Sequence, residues 1–144
     1  PVMLDTLGLP AALRQLGEEM WVLSDTRFVL EVEGEAPDLP DAINTVLFRV
    51  TQEALSNIQR HAQASHVLLR LAFVGGGVRL SVQDNGVGFE PAEISRDPQR
   101  GIGLRNMRER MASIDGELQL ISQPGLTVVV AALSAAAVRR FAQP

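Results

Sequence analysis

Apolar and polar positions along the 144-residue chain fall into two periods. Segment 27–33 alternates, with Phe28, Leu30 and Val32 against Val29, Glu31 and Glu33, and predicts a strand. Segments 66–74 and 78–84 alternate as well. The Gly75-Gly76-Gly77 run between them predicts a hairpin. A second hairpin is predicted from 117–122 and 126–133 across Gln123-Pro124-Gly125. Helical spacing governs 40–62, the longest such signal, and 101–114, where Gly101-Ile102-Gly103 opens the helix and Leu104, Met107, Met111 and Ile114 face inward. A further amphipathic stretch over 5–20 is interrupted by Gly8 and Pro10, which predicts a kink or a late start. Segments 34–40 and 90–100 are polar, contain prolines and read as loops, the second a mobile one. The order strand, helix, hairpin, loop, helix, hairpin predicts a mixed, mostly antiparallel sheet with helices on one face, a two-layer α/β sandwich. We expect the folded unit to span 25–133, with 1–24 a connector helix arriving from a missing domain. The alanine-rich tail over 134–144 has no evident role in the pattern.

Three groups of residues break this pattern. In segment 78–84, Val78, Leu80 and Val82 point inward, and Asp84 falls on the same face. A carboxylate there is costly unless something pairs with it. On the 40–62 helix, Arg49, Gln52, Ser56, Gln59 and Arg60 gather on a solvent face. Ile43, Val46, Leu47, Val50, Ala54 and Ile58 gather opposite. Glu53, Asn57 and His61, spaced by four, do not join the solvent face, and Asn57 falls inside the apolar stripe. The third group is the glycines 86, 88, 101 and 103.

Together these residues match the parts of a magnesium nucleotide. A buried aspartate at a strand end accepts a hydrogen bond from an exocyclic amino group, and glycines without Cβ let a planar base approach the backbone. Asn57 offers a neutral oxygen to a hard cation such as Mg²⁺. Glu53, one turn earlier, is placed to orient water or act as a base. Gly101 and Gly103 at a helix start leave backbone N–H groups for phosphate. Taken singly, each has a structural alternative. Asn85-Gly86 is a turn dipeptide, Asn57 a satisfied core amide, His61 a packed or capping histidine, and Gly101-x-Gly103 a helix cap. The conjunction favours the ligand.

Composition changes the picture in four respects. With 46% hydrophobic and 21% charged residues the chain suits a single globular domain, and its lack of cysteine removes disulfides and thiolate metal sites. A net charge of −4 argues against a nucleic-acid partner. All 13 basic residues are arginine, so any cationic phosphate contact must come from arginine. No apolar run approaches the roughly 20 residues that span a bilayer, and no signal peptide is visible. The chain starts at Pro1 with its first methionine at position 3, which we read as a piece of a longer protein.

The motifs resemble those of a known family. Gln52-Glu53-Ala54-Leu55-Ser56-Asn57-Ile58 with Arg60-His61-Ala62 is similar to the N-box of the GHKL ATPases. Asp84-Asn85-Gly86-Val87-Gly88-Phe89 is similar to their G1 box, and 100–110, Arg-Gly-Ile-Gly-Leu-Arg-Asn-Met-Arg-Glu-Arg, to their G2 box. The Arg-His-Ala and Met-Arg-Glu-Arg elements point more narrowly, to sensor histidine kinases of the nitrate-sensor (NarX-type) and DesK-like subfamily. The resemblance covers about 25–133 and implies the Bergerat fold with ATP between helices and sheet. It implies that Asn57 binds Mg²⁺ and that Glu53 is a catalytic polar residue beside the phosphates. Asp84 would receive the adenine amino group, with Thr127 supporting that pocket and Gly86 and Gly88 shaping it. Gly101 and Gly103 would hinge a lid formed by 90–100, and His61 and Leu104 would border the nucleotide.

The family's phosphoacceptor histidine lies in a helical dimerisation domain, and neither His61 nor His66 sits in such a motif. The expected function is therefore the ATP-binding half of a two-component kinase. It would supply the γ-phosphoryl of Mg-ATP to a histidine on an absent domain, with a response regulator downstream. The full protein is expected to be a homodimer, cytoplasmic or anchored at a membrane, and this piece a monomer. An anti-sigma-factor-type serine kinase and a non-catalytic nucleotide-gated interaction module are the alternatives. Arg100 stands where many relatives have histidine before the first G2 glycine.

Overall fold

The computed structural model describes residues 2–88 and 98–142, with side chains described for 2–88 and 101–142. Its strands are β1 (Arg27–Glu33), β2 (His66–Val74), β3 (Gly77–Asp84), β4 (Glu117–Gln123) and β5 (Leu126–Leu133). Its helices are α1 (Val2–Leu7), α2 (Leu9–Met20), α3 (Asp41–His61), α4 (Pro98–Ala112) and α5 (Ala135–Ala142). The sheet runs β1-β2-β3-β5-β4, with β1 and β2 parallel and every other pair antiparallel. A parallel neighbour needs a long crossover, and α3 provides it. This is the two-layer sandwich that the pattern predicts.

Register organises the inward face into rows that cross all five strands. Leu30, Leu69, Val82, Val129 and Leu120 form one row. Val32, Leu71, Leu80, Ala131 and Leu118 form the next. The third row begins apolar with Phe28 and Val67 and then turns polar with Asp84, Thr127 and Ser122. Strands of period two can place polar side chains at such a spot only at a stated register, so that row ends in a site by construction.

Helix α3 lies on the inward face and buries Ile43, Leu47, Val50, Ala54, Leu55 and Ile58. It also buries Thr51, whose hydroxyl donates to the Leu47 carbonyl at 2.8 Å and so is satisfied within the helix. In α4, Leu104, Met107 and Met111 are buried as expected, with Ile114 just beyond its end. The helix starts at Pro98, ahead of the expected opening at Gly101. Proline suits a first helical turn, where its missing N–H has no helical partner to lose. Of the expected 90–100 loop, residues up to 97 lie outside the described residues, and 98–100 are helical.

The N-terminal segment breaks at Gly8, whose φ is +88°, and Pro10 lies in the first turn of α2. Leu9, Ala12, Leu13 and Gly17 of α2 are buried. The Phe28 ring lies where a Cβ on Gly17 would fall, and stacks on Trp21 with centroids 5.9 Å apart. Helix α2 thus packs into the same core as the sheet. The tail forms α5, with the Ser134 side chain accepting the Ala137 N–H at 3.1 Å as an N-terminal cap and Ala137 buried. Among the described residues no helix is long and apolar enough to cross a membrane. Because Leu13 is fully buried, Leu13→Ala should destabilise the fold by about 2–5 kcal/mol. Urea unfolding checks this; a loss under about 1 kcal/mol would mean that α2 is a detachable connector rather than core.

Candidate functional site

Between α3, α4 and the polar end of the third row lies a pocket with ≈ 570 Å³ of empty space, counting its open mouth. Its walls are mostly apolar: Ala54 and Ile58 from α3, Leu104 and Met107 from α4, Val82, Leu120 and Val129 from the sheet. Asp84 and Thr127 supply polarity on the sheet side, and Asn57 supplies it from α3.

Asp84 is 4% exposed, and among the described residues no cation pairs with it. One carboxylate oxygen accepts the Gly86 N–H at 2.8 Å. Burial pushes the Asp84 carboxyl above its ordinary range, against the opposing effect of that hydrogen bond. Thr127 stands directly across from Asp84 on β5, 7% exposed, and its hydroxyl lies 2.7 Å from that of Ser122 on β4. The sequence pattern did not single out Ser122. Its position in the same inward row is the signal that would have found it, and that row exists only once β4 pairs with β5.

The turn after Asp84 is held by backbone. Val87 N–H donates to the Ala62 carbonyl at 2.8 Å, and Gly125 N–H donates to the Gly86 carbonyl at 2.9 Å. The Asn85 side chain accepts the N–H groups of Ser65 and His66, each at 2.9 Å, so Asn85 ties the turn to the start of β2. Gly86 does not line the pocket. A Cβ there would collide with the Ala62 carbonyl, so this glycine permits the end of α3 to press on the turn. Gly88 does line the pocket, and its φ of +71° is a left-handed conformation that favours glycine.

Asn57 is half-buried at the edge of the apolar stripe rather than inside it. Its side-chain oxygen accepts a hydrogen bond from Arg60 Nη2 at 3.1 Å, and Arg60 also lies 3.6 Å from Glu53 Oε1. The arginine that the helical wheel assigns to solvent therefore reaches back along α3 onto both residues. Its long stem allows this where the wheel, which records only direction from the axis, does not. Glu53 lies outside the pocket walls but against α4, since a Cβ on Gly103 would meet its carboxylate at 2.5 Å. Gly103 is thus a close-approach glycine between α3 and α4, and it sits with Gly101 inside α4 rather than at its start. Half-buried His61 closes α3 without lining the pocket. Among the described residues no three histidine, aspartate or glutamate side chains converge on a metal position. A cation held by Asn57 would therefore need most of its ligands from phosphate and water, which is how Mg²⁺ is commonly held.

Residues 42–136 match the family model described as histidine kinase-, DNA gyrase B- and HSP90-like ATPase. The chain belongs to that family. Within it, the chain is similar to sensor histidine kinases. It is 37% identical over 139 residues to the sensor histidine kinase MctS of Rhizobium johnstonii, covering 96% of this chain and 30% of that protein. It is 31% identical over 129 residues to the histidine-protein kinase/phosphatase DegS of Bacillus subtilis, covering 88% of this chain and 34% of that one. The chain thus spans between 22% and 34% of the length of these and similar curated relatives. Its fold matches the histidine kinase domain of the blue-light activated kinase from Erythrobacter litoralis, with a TM-score of 0.74 at 20% identity, over 92% of this chain and 68% of that one.

The raised Asp84 pKa makes a prediction about the ligand-free protein. A carboxyl with a folded-state pKa above its unfolded value binds its proton better when folded. Stability therefore falls as pH rises from the ordinary carboxylate value through the raised one. Asp84→Asn removes the charge and keeps an oxygen for the Gly86 N–H. The variant should melt at or above the wild-type temperature at neutral pH, with the difference shrinking as pH falls toward about 4. Thermal melts across that range check it, and a variant less stable at every pH would overturn it.

Proposed function

We propose that the pocket binds Mg-ATP and that the chain is the ATP-binding half of a two-component sensor kinase. The observation that carries this reading is Asp84, a nearly buried carboxylate with its side chain in an apolar slot and, among the described residues, no cation beside it. An adenine edge fits such a slot, because its flat faces suit the apolar walls and its amino group donates to the carboxylate. Family membership supports ATP as the nucleotide.

In this reading Asn57 is the protein's oxygen ligand to Mg²⁺. The metal, when bound, neutralises phosphate charge during transfer. Arg60 now donates to that same oxygen, so with Asn57 turned to a cation the guanidinium would be available for phosphate. Glu53, which Arg60 approaches at 3.6 Å, would be the catalytic polar residue beside the phosphates. Gly101 and Gly103 let α4 approach α3 there, with His61 and Leu104 at the border of the nucleotide. The γ-phosphoryl would pass to an imidazole nitrogen on a separate dimerisation domain and from there to a response regulator. The working protein would be a homodimer through that domain and would act in the cytoplasm, where ATP is available.

Isothermal titration with a non-hydrolysable ATP analogue should show binding that Asp84→Asn weakens by tenfold or more, on the order of one charge-assisted hydrogen bond. Unchanged affinity would remove adenine from the Asp84 end. Asn57→Ala should abolish the gain in affinity that Mg²⁺ confers over chelator while leaving adenosine binding within about twofold. Mixing the chain with a histidine-bearing dimerisation domain from a relative should produce acid-labile phosphate on that domain. Acid-stable phosphate on a serine would point to a serine kinase instead, and nucleotide binding with no transfer to a nucleotide-gated module.

A further inference from the structure

Side-chain oxygens from three adjacent strands line up across the polar end of the inward face. Asp84 on β3 is in register with Thr127 on β5, and Thr127 with Ser122 on β4. Asp84 and Thr127 line the pocket, whereas Ser122 stands behind Thr127 with its hydroxyl 2.7 Å away. The same Ser122 hydroxyl borders the Gly88 turn, 3.2 Å from where a Cβ on Gly88 would fall. Its position is therefore set by strand pairing on one side and by the turn on the other.

Each hydroxyl has one proton and two lone pairs, so one member of the Ser122–Thr127 pair must donate to the other. If Thr127 donates to Ser122, the Asp84–Thr127 edge offers only acceptors, because ionised Asp84 is an acceptor too. If Ser122 donates to Thr127, the Thr127 proton is left to point into the pocket, and the Asp84–Thr127 edge reads acceptor then donor. Adenine presents the complement along its pairing edge, an amino donor beside the N1 acceptor. Guanine presents the reverse, the O6 acceptor beside an N1–H donor. An edge that reads acceptor then donor accepts the first and rejects the second, because mismatched groups would be buried without partners.

Resting on the Mg-ATP reading, we infer that Ser122 is a positioning residue that directs the Thr127 proton into the pocket and so sets its preference for adenine over guanine. Ser122 touches no ligand in this arrangement. It acts through Thr127, and its removal leaves the Thr127 hydroxyl free to turn to other acceptors.

The test is titration of the chain with ADP, GDP and 1-deaza-ADP, which keeps the amino group and lacks the N1 acceptor. Ser122→Ala should weaken ADP about fivefold, one ordinary hydrogen bond, and leave 1-deaza-ADP unchanged. The ADP-to-GDP affinity ratio should fall by a similar factor, and Ser122→Thr should restore both values. Adding Ser122→Ala to Thr127→Val should cost nothing further. Ser122→Val, which suits a strand, carries the same comparison if the alanine variant does not fold. Equal losses for ADP and 1-deaza-ADP, or additive losses in the double variant, would overturn the role of Ser122. A wild-type chain that binds none of the three would overturn the nucleotide reading beneath it.

Discussion

A carboxylate kept from water, with no cation beside it among the described residues, is the constraint from which the site follows. Asp84 occupies an inward position of β3, and its burial holds the acid toward its neutral form despite the Gly86 hydrogen bond. The fold bears that cost where a shorter apolar residue at the same register would have continued the core. Everything adjacent is arranged to hold this one group still. Asn85 ties the turn to β2, Ala62 at the end of α3 accepts the Val87 N–H, and Gly86 is small enough to let those two elements meet. A donor arriving in the pocket therefore finds an acceptor that needs no rearrangement, which is the physical content of preorganisation.

The two ends of the pocket are built differently. At the sheet end, polarity comes from a strand row, so the spacing of Asp84, Thr127 and Ser122 is that of the ladder itself. At the α3 end, polarity comes from one helix, where Glu53, Asn57 and Arg60 share a face at spacings of three and four. A ladder is stiff. The helix side chains are long and half-exposed and can change partners. That division suits a ligand with one rigid, flat end and one charged, flexible end carrying a cation.

Much of the architecture was legible along the chain because it rests on local periodicity. The alternation of 66–74 and 78–84, the helical spacing of 40–62 and the turn residues between them are properties of neighbouring residues, and the elements appear where the spacing puts them. The break at Gly8 followed likewise from backbone chemistry. The expected start of the 101–114 helix was displaced because Pro98 supplies a good first turn and glycine does not forbid a helix. The tail over 134–144 offered alanine and little else, and became a helix through a serine cap and one buried alanine on the sheet's flank.

By itself, then, the sequence determined the strands and helices, the inward direction of Asp84, and the family motifs that set it beside Asn57, since each depends on residue type and short spacing. Only the tertiary structure decided what those residues touch. It added Ser122 to the Asp84 and Thr127 that the motifs had already paired, because β5 inserts between β3 and β4, and that order has no trace in local pattern. It moved Gly86 from the pocket to the joint with α3 and brought Arg60 from the solvent face onto Asn57. Strand order and side-chain reach are long-range properties, fixed by how whole elements pack, and the chain states them nowhere in advance.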